Sequence, residues 1–154
     1  MIVGYFSAPF YSNSILFEMD SPPNVIWNDL VNMKDSTIKK ADVSSVDVFD
    51  KYGSLIAWQE NLKDGGFRRY RMTHRVEERN LVVELMESSY GLTGMWYFVL
   101  EKKDSKTLVT ITEESTLDNT ILRGTRFFFG RDRDLLVWVK YIRVGLLEHL
   151  LTTP

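Results

Sequence analysis

At 154 residues the chain fits one domain. A domain of this size buries about two-thirds of its unfolded surface, so it needs neither disulfides nor a structural metal. Its 44% apolar and 26% charged residues are ordinary for a globular protein, and a net charge of −2 offers no field to attract nucleic acid or an anionic membrane. There is no cysteine, which excludes thiol nucleophiles, disulfides and thiolate metal sites together.

In chain order, Met1 to Phe17 carry no charged residue. Met1-Ile2-Val3-Gly4-Tyr5-Phe6 is too short for a signal core, and Pro9 and Tyr11-Ser12-Asn13-Ser14 interrupt it. No run approaches the roughly 20 apolar residues of a spanning helix. The reading is an N-terminal arm over 1–12 before a domain over 13–154, in a cytoplasmic protein. The alternative is membrane association through that first segment. From Asn13 to Asp20 apolar residues alternate (Ile15, Phe17, Met19), which predicts a strand. Ser21-Pro22-Pro23-Asn24 supplies a capping hydroxyl and prolines where the missing N–H is harmless. Val25, Ile26, Trp27, Leu30 and Val31 then follow at helical spacing, with a further helical turn at Ser36 to Ala41.

Strands are predicted next at Val43–Phe49, Ser54–Leu62, Phe67–Glu77, Leu81–Ser89, Gly94–Glu101 and Thr107–Thr116. Asp50-Lys51-Tyr52-Gly53, Lys63-Asp64-Gly65-Gly66, Glu78-Arg79-Asn80 and Lys102-Lys103-Asp104-Ser105 divide them. Such short loops imply an antiparallel meander, six or seven strands in all. The period then changes. Leu135, Val139, Ile142, Leu146 and Leu150 form an aliphatic helical stripe, beside a face of Trp138, Tyr141, Gly145 and His149. Lys140, Arg143 and Glu148 take polar positions. A sheet with one apolar face needs a cover, and this terminal helix is the large candidate. The fold class is therefore α+β, a curved antiparallel sheet around a long C-terminal helix.

Four stretches resemble the START-like (SRPBCC) superfamily, which includes polyketide cyclase/dehydrase-like and lipid-transport-like proteins. Ile15 to Asp20 with Ser21-Pro22-Pro23-Asn24-Val25-Ile26-Trp27-Asn28-Asp29-Leu30 is similar to the family's opening strand and helix start. Gly94-Met95-Trp96-Tyr97-Phe98-Val99-Leu100 resembles its glycine-led strand, and Lys106-Thr107-Leu108-Val109-Thr110-Ile111-Thr112-Glu113-Glu114 its closing strand. The apolar helix completes the pattern, which spans residues 13 to 151. After the first helix, where many relatives carry tryptophan, Ser36-Thr37-Ile38-Lys39-Lys40 stands instead. The resemblance implies a helix-grip fold with a cavity between sheet and terminal helix. It implies no shared catalytic set.

Strand alternation then nominates a lining. In the fourth strand Tyr70, Met72, His74 and Val76 share a face, opposite Arg69, Arg71, Thr73 and Arg75. The first set is assigned inward, because so many unpaired charges cannot be buried. Ile56, Trp58, Glu60 and Leu62 share a side, as do Val109, Ile111 and Glu113. The candidate ligand-binding residues are Trp58, Tyr70, Met72, His74, Trp96, Glu113, Trp138 and Tyr141, an aromatic and sulfur-rich set with a few polar groups. His74 beside Glu113 is the sharpest pair, able to anchor a polar ligand end or to move a proton. The alternative is that these side chains are satisfied core.

Other classes lack their signatures. With only His74 and His149 and no H-E-x-x-H there is no metal site, and no nucleophile elbow, phosphate loop or dinucleotide fingerprint occurs. No cofactor is called for. Arg131-Asp132-Arg133-Asp134 reads as a solvated helix entry. Arg68, Arg69, Arg71, Arg75 and Arg79 are offset by Glu77, Glu78, Glu84 and Glu87, so no nucleic acid partner is expected. Phe127-Phe128-Phe129 reads as buried where the helix enters, with an apolar lip or membrane contact as the other reading. The function expected is binding or carriage of a small hydrophobic or amphipathic molecule. The alternatives are a cyclase/dehydrase-type enzyme using His74 and Glu113, and an interaction module whose cavity is filled by its own side chains.

Overall fold

A computed structural model of the chain describes residues 9–32, 40–52, 55–123 and 133–152. Ser36 to Lys39, Phe127 to Phe129 and the side chains of Leu146, His149 and Leu150 lie outside the described residues, and with them the expectations placed there.

Seven strands form one antiparallel sheet: β1 (Phe10–Met19), β2 (Val43–Tyr52), β3 (Leu55–Leu62), β4 (Phe67–Val76), β5 (Asn80–Ser88), β6 (Leu92–Lys103) and β7 (Lys106–Leu117). Their order is β1-β7-β6-β5-β4-β3-β2. Helix α1 (Pro23–Val31) joins β1 to β2 across the sheet, and α2 (Arg133–Thr152) follows β7. Strand β1 begins at Phe10, inside the stretch read as an arm, and pairs with β7 from Phe10↔Thr116 to Met19↔Thr107. Its first turns of chain escape a pattern search because Phe10 is exposed and polar Ser12, Asn13 and Ser14 follow, so backbone pairing rather than alternation defines them.

The N-cap of α1 is Pro22 with Pro23 opening the helix, and no side chain caps it. Ser21, expected as the cap, is instead buried, and its carbonyl accepts a 2.7 Å hydrogen bond from the Thr107 hydroxyl. That bond ties the helix start to the last strand. Ile26, Trp27 and Leu30 are buried from α1, and Leu135, Trp138, Val139, Tyr141 and Ile142 from α2. The two helices meet where the Tyr141 hydroxyl donates to the Asn32 carbonyl at 2.9 Å. Gly145, which interrupts good helix formers, is buried.

The described part of the α2 stripe closes the concave face of the sheet. Tyr70 from β4 and Phe98 from β6 meet Trp138 edge-on, with ring centroids 6.4 and 5.0 Å apart. Inward positions alternate as read in β3 (Trp58, Glu60, Leu62) and through β7 (Thr107, Val109, Ile111, Glu113, Ser115, Leu117), all of them buried. Gly94 of β6 lies opposite Ser115 of β7. A Cβ there would lie 2.5 Å from the Glu114 carbonyl oxygen and 2.8 Å from the Ser115 Cα, both backbone atoms that cannot swing aside. Gly94→Ala should therefore destabilise the domain by about 1–3 kcal/mol in urea unfolding, as an overpacked contact does. A neutral result would show that the two strands part at little cost.

Candidate functional site

The sheet and α2 enclose an aromatic layer built from three strands and a helix. Trp58 of β3 stacks on Tyr70 of β4 at 5.1 Å, an arrangement that follows from their direct pairing across the two strands. Trp138 of α2 bridges Tyr70, Phe98 and its own neighbour Tyr141, the last at 5.5 Å. Met72 and Trp96 are buried on the same concave face. Six of the eight candidate lining residues, Trp58, Tyr70, Met72, Trp96, Trp138 and Tyr141, thus belong to one buried cluster.

Inside that layer lies a chain of charges. Lys40 Nζ is 2.6 Å from Glu60 Oε1, and the two side chains are only 2% and 0% exposed. The other Glu60 oxygen is 3.0 Å from Arg68 Nε, and Arg68 reaches outward to Asp42 at 3.0 Å. The ammonium also faces the Trp138, Tyr70 and Tyr141 rings, 4.3, 5.2 and 5.5 Å from their centroids. Each ring turns its negative π face to the cation. Burial pulls the Lys40 pKa below the ordinary lysine value, and the Glu60 carboxylate only partly opposes it. Burial, reinforced by the Glu60 charge, pushes the Tyr70 hydroxyl well above the usual tyrosine range, so it stays protonated.

Sequence reading nominated no member of this chain as a site residue and placed only Glu60 on a shared strand face. Its inward position was legible from β3 alternation, and a buried carboxylate demands a cation. Arg68 shares the inward parity of Tyr70 and pairs with Glu60 in the β3–β4 register, so the partner was in view. Lys40 had the weaker signal: it ends the segment that stands where many relatives carry tryptophan.

Glu113 is fully buried, as alternation indicated, and lies opposite Trp96 across β6 and β7. The Ser115 hydroxyl donates to it at 2.5 Å. His74 goes the other way. The β4–β5 register jumps between Met72↔Val83 and His74↔Val82, so Thr73 is an extra residue on β4. A bulge of this kind reverses which side chains face inward. His74 and Val76 are consequently exposed on the outer face, while Arg75 turns inward to stack over Trp27 at 5.4 Å. Two strands, β5 and β6, also separate β4 from β7, a gap of roughly 14 Å at the usual strand spacing. The structure does not bring His74 and Glu113 together. Among the described residues no three His, Asp or Glu side chains group to hold a metal. None of the described helices is long and apolar enough to cross a membrane.

No family model and no curated protein matches the chain by sequence. Solved structures match it in three dimensions. It aligns with the Zhui aromatase/cyclase from Streptomyces sp. R1128 at TM-score 0.73 and 7% identity, covering 88% of this chain and 93% of the other. A START superfamily protein from Mycobacterium smegmatis aligns at TM-score 0.68 and 10% identity, over 90% and 98% of the two chains. Ara h 8.0201 aligns at TM-score 0.67 and 8% identity, over 89% and 98%. At such identities the likeness is one of fold. The chain has the START-like (SRPBCC) helix-grip fold, as its motifs implied: a curved seven-stranded antiparallel sheet with a long C-terminal helix on its concave face.

Proposed function

We propose that the protein binds or carries a small hydrophobic or amphipathic molecule between the concave face of the sheet and α2, acting in the cytoplasm without catalysis. The observation that supports this most is the charge chain set inside the aromatic layer. A core selected for stability alone gains little from a buried ion pair, since well-packed apolar residues serve as well or better. Lys40, Glu60 and Arg68 instead give an otherwise apolar layer a polar centre, the combination that orients a small ligand. The cyclase/dehydrase alternative loses its proton-transfer pair, because His74 lies on the outer face.

One observation favours the self-filled reading as a second. Trp58, Tyr70, Trp96, Trp138 and Tyr141 are all at most 4% exposed and pack on one another. A ligand must therefore displace side chains to enter. Nile red fluorescence separates the two readings. Saturable binding, weakened several-fold by Tyr70→Ala or Trp58→Ala through loss of buried apolar contact, is the expected result. Absence of binding would leave a domain whose interior serves only its own packing.

A further inference from the structure

We infer that the occupant of this layer carries an oxygen acceptor, a carboxylate or carbonyl, which is received by the Lys40 ammonium and the indole N–H of Trp58. The inference rests on the binding reading above and adds the chemistry of the ligand's polar end.

The donors and acceptors of the layer do not balance. An ammonium has three N–H groups, and Lys40 places one on Glu60 Oε1 at 2.6 Å. Around the rest of it are the faces of Trp138, Tyr70 and Tyr141. An indole nitrogen can only donate, and when buried it usually finds an acceptor. Trp58 Nε1 is buried with no hydrogen-bond partner, on a ring that stacks against the same Tyr70 that Lys40 faces. Trp96 Nε1, on the same concave face, has none either. No carboxylate nearby accepts from either indole. Glu60 spans Lys40 and Arg68, Asp42 meets Arg68 from outside, and Glu113 accepts from Ser115.

These unmet N–H groups rank the ligand classes. A hydrocarbon would leave every one of these N–H groups unmet, each at the cost of a desolvated donor. An ammonium ligand would meet a resident cation on the ring faces that favour it. An oxygen acceptor suits both the indole and the ammonium, and an anion gains a charge-assisted bond. Its apolar body would lie among Tyr70, Met72 and Trp96.

The test displaces bound Nile red from the full chain with decanoate, decanol and decylamine, which share one alkyl body. Decanoate should displace at a concentration at least about tenfold below that of decylamine, the ratio one charge-assisted bond supplies. Lys40→Met should remove that preference while Nile red itself still binds. Trp58→Phe keeps the ring, loses only the N–H, and should reduce the decanoate advantage several-fold, which covers the case of a Lys40 variant that fails to fold. Equal displacement by acid and amine, or a preference unchanged in both variants, overturns the inference and leaves the binding reading standing. Failure of the wild type to bind Nile red at all overturns the binding reading and this inference with it.

Discussion

Glu60→Leu should lower the free energy of unfolding by about 3–5 kcal/mol, the usual consequence of stripping a buried ion pair of one member. Glu60 is the carboxylate shared by two cations, Lys40 at 2.6 Å and Arg68 at 3.0 Å, and the side chain of Lys40 is buried. Removing it leaves a buried ammonium held only by ring faces. The double variant Glu60→Leu/Lys40→Met should recover much of the loss, because it removes the stranded charge together with its partner. Urea denaturation of the single and double variants measures the coupling. A Glu60→Leu cost below about 1 kcal/mol would mean that the pair is solvated in solution.

Lys40 also gives the stability a pH signature. Its folded pKa lies below the ordinary value of 10.5, so between the two values the unfolded chain holds the extra proton. Stability therefore rises with pH across that window, the penalty being complete below the folded pKa and gone above the unfolded one. Tyr70 acts in the opposite sense: its raised pKa costs stability only once pH climbs past the usual tyrosine value. Below that point the difference between wild type and Lys40→Met isolates the lysine, and the substitution should flatten the rise.

The second large effect is expected at Trp138. Its ring meets Tyr70, Phe98, Tyr141 and the Lys40 ammonium, so it joins α2 to β4, to β6 and to the charge chain at once. Trp138→Ala should cost about 3–5 kcal/mol as a large core truncation. For a domain of this size that is a fall in melting temperature on the order of 10 °C. Differential scanning calorimetry gives the number. A shift of only a degree or two would show that α2 is held on the sheet by its aliphatic stripe alone.

Much of the architecture was legible because it rests on periodicity and turn chemistry. The β3 and β7 alternations placed Trp58, Glu60 and Glu113 inward, and the hairpin signal at Lys63 to Gly66 marked the loop that joins β3 to β4. The expected His74–Glu113 pair failed at a single residue. Thr73 carries no sign in its chemistry that it is an inserted position, yet it exchanges the faces of His74 and Arg75. A period of two has no memory past a bulge. Charge arithmetic misled in the same strand. Counting Arg68 with Arg69, Arg71, Arg75 and Arg79 as one basic run hid it, although it has the inward parity and a carboxylate opposite it. Lys40 was beyond reach for another reason: a residue before the start of a strand inherits no face from alternation, and its burial depends on contacts with β3, β4 and α2 that only the closed structure supplies.

The position of β1 beside β7 bears on the order of assembly. Strands β2 to β7 each pair with a neighbour in sequence, so that meander closes through short loops at small entropic cost. β1 is the exception: Ser14 bonds Thr112, 98 residues further along. A ribosome delivers β1 before β7, and the partner of Ser14 follows 98 residues behind it. Until then Ile15, Phe17 and Met19 have no β-sheet edge to cover, and the Ser21 carbonyl has no Thr107 to bind it. Contacts at such separation form late. Pairing of the first strand is thus the closing event of the sheet, and the nascent chain carries an unpaired apolar segment until β7 has been made, the state in which a chaperone has something to hold.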